Sequence, residues 1–182
     1  MSTITILNGI PDNSFAEFES GMERAANAGD SDREINIIRL RDLDIRYCTG
    51  CWDCWVKTPG LCAQRDDMEI VYRTVMRSDL IVFLSPLTLG FVSALTKKTC
   101  DRMIPLVHPY IVVYRGEFHH KSRYEKYPKM GLMLIDPKRN EVDFQNTRDI
   151  FSRLSINLKT DLELALSLQG SEKEAYDAIS SL

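Results

Sequence analysis

The segment Leu80-Ile81-Val82-Phe83-Leu84 is continuously apolar and stops at Ser85-Pro86. A run this short, closed by turn residues and lacking a polar face, predicts a central parallel strand covered on both sides. Parallel neighbours need crossover helices, and the rest of the chain supplies the pattern. Ile4, Ile6 and Leu7 form an apolar strand ending at Asn8-Gly9, and Phe15, Phe18, Met22 and Ala26 follow at helical spacing. Ile35, Ile37 and Ile38 mark a second strand over 34–40. Asp66 and Asp67 open a helix carrying Met68, Val71 and Val75, where acidic residues suit the positive end of the helix dipole. Downstream the pattern predicts a helix over 91–106, an extended segment over 110–114, a fourth strand over 131–135, a helix over 147–154 and a fifth strand over 161–168. Ser171 and Glu174 make a capping box for a last helix with Ala175, Ala178, Ile179 and Leu182 on one face.

Strands alternating with helices imply right-handed crossovers, so the expected architecture is an α/β, flavodoxin-like three-layer sandwich. Its five-stranded parallel sheet should be ordered 2-1-3-4-5. The 182 residues fit one domain, 1–182, with a lid or insertion at 109–128. Ligands of such sheets sit beyond the carboxyl ends of the strands, where three loops should meet: 8–14, 48–62 and 85–93. The net charge of -3 with both signs interspersed marks no nucleic-acid surface, and no apolar run approaches the roughly 20 residues of a membrane span. The start of the chain lacks a secretory pattern, which predicts a cytoplasmic protein.

Four of the five cysteines crowd into one loop as Cys48, Cys51, Cys54 and Cys62, spaced C-x2-C-x2-C-x7-C. Two-residue spacers let neighbouring sulfurs converge, and thiolates are soft ligands for iron-sulfur clusters and for zinc. The same loop suits free, redox-active thiols in a reducing compartment, so cluster, zinc and empty loop all remain open. Trp52 and Trp55 stand between the cysteines as packing anchors or as shields. Cys100 lies in a helical pattern and reads as inert core.

Cys48-Thr49-Gly50-Cys51-Trp52-Asp53-Cys54, Thr58-Pro59-Gly60-Leu61-Cys62 and Asp66-Asp67-Met68 are followed in order by Ser85-Pro86-Leu87, Gly90-Phe91-Val92-Ser93 and Lys98-Thr99-Cys100-Asp101-Arg102. This ordered set resembles the flavodoxin-like NAD(P)H-dependent FMN reductases and the iron-sulfur flavoproteins among them, over roughly the first three fifths of the chain.

The resemblance implies an FMN-dependent oxidoreductase that takes electrons from NAD(P)H and passes them to a small-molecule or protein acceptor. It implies a [4Fe-4S] cluster on Cys48, Cys51, Cys54 and Cys62, and a homodimer or homotetramer. It places the FMN phosphate at Asn8, Gly9, Asn13 and Ser14, and the flavin ring at Ser85, Pro86, Leu87, Thr88, Leu89 and Gly90. The first loop departs from the family pattern, because Pro11 offers no N–H and Asp12 sets a negative charge where a phosphate would sit. Thr88 stands where an aromatic residue is common, and Arg102 reads as a structural ion-pair partner. His119, His120, Arg123 and Tyr124 either cover the flavin or belong to a solvated or subunit-contact loop, and no catalytic residue is assigned. The alternative is a metal- or cluster-binding module of the same fold that has lost FMN and acts through protein contacts.

Overall fold

The computed structural model describes residues 2–28 and 32–182. Its strands are β1 (Ser2–Asn8), β2 (Arg33–Arg39), β3 (Leu80–Thr88), β4 (Phe91–Val92), β5 (Val107–Tyr114), β6 (Glu117–Ser122), β7 (Lys129–Ile135) and β8 (Leu162–Leu168). Its helices are α1 (Ala16–Asn27), α2 (Asp53–Val56), α3 (Met68–Arg77), α4 (Ala94–Asp101), α5 (Glu141–Asn157) and α6 (Glu172–Ser180). The main sheet runs β2-β1-β3-β7-β8 with every neighbouring pair parallel, which is the expected order, and β4 is added as a short antiparallel partner of β3.

The apolar run in β3 serves both faces. Ile81 and Phe83 point into a core shared with Met68, Val71 and Val75 of α3 and Phe151 of α5. Val82 and Leu84 point the other way, against Phe18 and Met22 of α1 and Ala175 and Ile179 of α6. All four β3 side chains are 0% exposed, so alternate residues of one strand hold two layers of helices. On the second face α1 and α6 meet closely: a Cβ on Gly21 would lie 2.4 Å from the carbonyl oxygen of Glu172, so only glycine fits. The Ser171–Glu174 capping box forms as the sequence predicts.

The helix expected over 91–106 is broken into pieces. Leu89 and Gly90 take left-handed backbone angles (φ 51 and 80), making a tight reversal that pairs Phe91 and Val92 back onto Thr88 and Leu87. Only then does Ser93 cap α4, by accepting the Thr96 N–H at 3.3 Å. α4 ends at Asp101, and residues Ile104–Leu106 form a single 3-10 turn around Pro105, which has no N–H to extend a helix. The extended segment over 110–114 belongs to β5, which pairs with β6 in a separate two-stranded sheet turned at Arg115-Gly116. The helix expected over 147–154 is longer, because the Asn140 side chain caps it by accepting the Asp143 N–H.

Candidate functional site

The first loop, between β1 and α1, is held from below. Asn8 is fully buried: its amide donates to Glu19 at 2.6 Å, and its oxygen accepts the Ile10 N–H at 3.0 Å. Glu19, itself 4% exposed, is neutralised by both terminal nitrogens of Arg41 at 2.7 and 3.0 Å. The Gly9 N–H donates to the Leu84 carbonyl at 2.8 Å. A side chain at Gly9 would fall 1.9 Å from the Thr96 hydroxyl, so α4 is docked directly on this loop. Further along, the Ser14 N–H donates to Asp12 at 2.8 Å, and the Ser14 hydroxyl donates to the same carboxylate oxygen. The Ser14 hydroxyl, then the Ser14 N–H, pull the Asp12 carboxyl below its usual range against slight desolvation, with the Arg41 charge helping. The loop therefore carries its own anion on donors that a phosphate would need.

The third loop is tied to the first. Ser85 is fully buried, and its hydroxyl donates to the Pro86 carbonyl and accepts the Ser93 N–H at 2.8 Å. Ser93 then donates its own hydroxyl to the Gly9 carbonyl at 2.6 Å. Pro86 is buried, Leu87 half-buried, and Thr88, Leu89 and Gly90 rise towards solvent, Leu89 fully exposed at the tip. The sequence marks Ser93 only as part of the third loop and carries no sign of Arg41 and Glu19 as partners. Ser93 had a signal in its N-cap spacing to Thr96, whereas nothing local linked Glu19 to Arg41.

The cysteine loop turns twice through left-handed residues, Gly50 (φ 66) and Trp52 (φ 64), on either side of Cys51. A short helical turn, α2, then carries Cys54 inward to 8% exposure, and the Gly60 N–H closes on the Cys54 carbonyl at 2.9 Å. Trp55 anchors the loop by donating its indole N–H to the Val107 and Ile104 carbonyls at 2.9 and 3.2 Å, and its ring packs on His120 at 4.9 Å. Trp52 is 62% exposed. All four cysteines of the loop border one cavity of about 180 Å³, closed by Trp55, Gln64 and the far end of α4 at Asp101, Arg102, Ile104 and Pro105. All five cysteines are free thiols. Burial, and then the neighbouring Cys62, Cys48 and Cys51, push the Cys54 thiol up. As they stand, no three His, Cys, Asp or Glu side chains among the described residues are grouped closely enough to hold a metal ion.

Arg102 borders this cavity. Its terminal nitrogens grip Asp66 at 2.7 and 3.0 Å and donate to the Arg46 carbonyl at 2.7 Å, with both charged side chains 1% exposed. Desolvation pushes Asp66 up, but hydrogen bonds from Arg102 and from the Arg46 and Met68 N–H groups outweigh it, and the net shift is downward. The third guanidinium nitrogen, Nε, is buried without a partner. Leaving a buried N–H unmet costs about 1–3 kcal/mol, so it marks a place where an acceptor belongs. Four thiols bordering one cavity are the soft donor set a sulfur-bound cluster needs, and the loop would have to draw them closer together to hold it.

The structure brings the four cysteines together, but their cavity shares no lining residue with the first or third loop. α4 spans the gap: its cap Ser93 touches Gly9, and its far end reaches the cysteines, about 12 Å away at about 1.5 Å per residue. His119 pairs with Glu117 at 3.0 Å, His120 packs on Trp55, and Arg123 donates to the Pro105 carbonyl at 2.9 Å. Tyr124 packs edge-on against Tyr127 at 5.9 Å. His120 and Arg123 thereby fasten the β5-β6 hairpin to the wall of the cysteine cavity.

Residues 3–122 match the model of the NADPH-dependent FMN reductase family. The chain belongs to that family. Among its relatives, an iron-sulfur flavoprotein of Archaeoglobus fulgidus is 40% identical over 75 residues, 41% of this chain and 33% of that protein. An iron-sulfur flavoprotein of Methanocaldococcus jannaschii is 36% identical over 73 residues, 40% of this chain and 37% of that protein. The match thus spans about a third of each of these relatives. Among solved structures, the NAD(P)H:quinone oxidoreductase from Methanothermobacter marburgensis superposes with a TM-score of 0.66 at 13% identity, covering 100% of this chain and 94% of that one. An FMN-dependent NADH-azoreductase from Bacillus anthracis in complex with FMN gives 0.61 at 13% identity, covering 100% and 99%. At such identities the likeness establishes that this family member has the fold of those reductases.

Proposed function

We propose that this chain is a flavin-dependent oxidoreductase that takes electrons from NAD(P)H and delivers them to a small-molecule or protein acceptor, with a [4Fe-4S] cluster on Cys48, Cys51, Cys54 and Cys62. The observation that carries the cluster is the single cavity bordered by all four cysteines. Family membership and the linked loops at Gly9 and Ser85–Ser93 carry the flavin. When bound, a flavin exchanges hydride or single electrons and a cluster moves electrons singly. The chain's own residues position these groups. Asn8, Glu19 and Arg41 set the first loop; Ser85 and Ser93 set the third; Trp55 and Arg102 hold the cysteine loop closed.

Ile111, Val113 and Phe118 are exposed on the hairpin, an apolar face that suits the homodimer or homotetramer we assign. No helix among the described residues is long and apolar enough to cross a membrane. Free thiols on the surface suit a reducing compartment, and we assign the cytoplasm. One observation favours a second reading, a cluster-binding module without FMN: Asp12 already occupies the Ser14 donors.

Anaerobically purified protein separates the readings. The oxidoreductase is yellow to brown, releases flavin on denaturation and contains iron. Iron without flavin supports the module, and neither iron nor zinc removes the cluster assignment.

A further inference from the structure

We propose that Lys138 and Arg139 bind a phosphate of the pyridine nucleotide and so set how tightly the chain holds its electron donor. The inference rests on the NAD(P)H reading above. Ligands of a sheet like this one sit beyond the carboxyl ends of its strands. The chain leaves β1, β3, β7 and β8 at that end through residues 9–15, 89–90, 136–140 and 169–171. Lys138 and Arg139 are the only cations in those four segments. Arg39 and Arg41, at the same end of β2, are already taken by Glu23 and Glu19. A nucleotide that brings its phosphates to this edge finds free positive charge on the loop after β7.

That loop is held firmly. Ile135 pairs with Pro86, so the chain leaves β7 one strand spacing, about 4.8 Å, from the loop we assign to the flavin ring. The buried Asp136 carboxylate accepts the Lys138 N–H at 3.2 Å and the Asn140 N–H at 2.5 Å, and the Asp136 carbonyl accepts the Arg139 N–H at 3.1 Å. Asn140 then caps α5, and Asp143 of that helix lies against the tip of the third loop: a Cβ on Gly90 would be 3.3 Å from its carboxylate. Arg139 is held at φ 50, a left-handed backbone in which glycine is at ease and arginine is strained. Both cationic side chains are exposed, and neither enters an ion pair among the described residues. The fold gains nothing from these charges, yet it bears a strained residue to present one of them where a ligand belongs. A guanidinium meets two phosphate oxygens in parallel, and an ammonium beside it adds a point charge.

The test uses the flavin-loaded full chain with Arg139→Gly and Lys138→Gln. In each variant the KM for NADPH should rise about tenfold with kcat unchanged, the effect of losing one charge-assisted contact. Added salt should raise the wild-type KM more than that of either variant. Arg139→Gly should at the same time raise the midpoint of urea unfolding, because glycine relieves the left-handed backbone. A structural role would lower that midpoint and leave KM alone. NADH measured beside NADPH identifies the phosphate: a rise confined to NADPH assigns the 2′-phosphate, and an equal rise for both assigns the diphosphate. Unchanged KM for both nucleotides overturns the proposal and leaves the reductase reading standing. Wild type that oxidises neither nucleotide overturns that reading, and calorimetry with 2′,5′-ADP then decides the site. Binding that disappears when Lys138→Gln and Arg139→Gly are combined supports the proposal, and absence of binding to wild type overturns it.

Discussion

Asp66 meets Arg102 end-on, its two oxygens 2.7 and 3.0 Å from the two terminal guanidinium nitrogens, and both side chains are 1% exposed. The pair joins the end of the cysteine loop to the end of α4. Removing one partner leaves the other charge buried and alone, so Asp66→Asn should cost about 3–5 kcal/mol in urea unfolding at pH 7. The folded pKa of Asp66 is depressed below the ordinary value of about 3.9, so its contribution is complete above that value and is lost as pH falls through the folded pKa. The gap between wild type and Asp66→Asn should therefore narrow below about pH 4. A gap independent of pH would show that the carboxylate's charge is not what stabilises.

The self-occupied first loop predicts weak discrimination between phosphorylated and unphosphorylated flavin. Asp12→Asn removes the charge yet keeps an oxygen to accept from Ser14. FMN affinity should rise roughly fivefold, the effect of one unit charge at about 4 Å in water, with riboflavin affinity unchanged. Flavin fluorescence quenching reads both constants. Equal changes for the two flavins would place Asp12 away from the phosphate.

Thiol chemistry should divide the five cysteines sharply. Single serine replacements at Cys48, Cys51, Cys54 and Cys62 should each lower the iron content of anaerobically reconstituted protein, while Cys100→Ser should preserve it. In metal-free protein, Cys48 and Cys51 are exposed and should alkylate quickly with iodoacetamide. Burial pushes the Cys100 thiol up to about 12, which leaves roughly one thiolate in ten thousand at pH 8. Cys100 is half-buried rather than sealed in the core, so its slow labelling should come from the raised pKa of its thiol; mass spectrometry over time measures the order, and early labelling of Cys100 would contradict that shift.

Gly9→Ala tests the junction between the first loop and α4. The added methyl would lie 1.9 Å from the Thr96 hydroxyl, so the loop and helix must separate. A loss of about 1–3 kcal/mol is expected, as for overpacked core sites. The Ser93 hydroxyl contact to the Gly9 carbonyl lies at the same junction, so flavin binding should weaken with stability. Thr96→Ala should partly restore both by clearing the hydroxyl.

The sheet was readable because its strands announce themselves locally: Ile81 to Leu84 need two apolar faces, and Ser171 needs Glu174 only three residues away. The break in the region 91–106 was not, since Phe91 and Val92 have apolar spacing that suits a helix, and the left-handed Leu89 that diverts them is a residue seldom found there. The four cysteines were legible as a set from their spacing. Their placement at the far end of α4, rather than beside the Gly9 and Ser85 loops, follows from Trp55 reaching the carbonyls of residues 104 and 107, a contact with no signature in the sequence. Arg102 could be read as an ion-pair partner, but its idle Nε emerges only once Asp66, Arg46 and the cavity are placed together.

Gly21 lies so close beneath Glu172 that α1 and α6 share a seat with no room for a methyl group. β1 and α1 therefore need α6, which lies far from them in sequence, before Phe18 and Met22 are fully covered. Until then, the loop from Gly9 to Ser14 has a strand on one side and an unfinished helix on the other. The cysteine loop takes its Trp55, Asp66 and Arg102 anchors from residues 46 to 107, with His120 and Arg123 added from the hairpin. The Gly9 loop thus depends on a long-range closure of the fold, whereas the cysteine loop is held by contacts nearer to it in sequence.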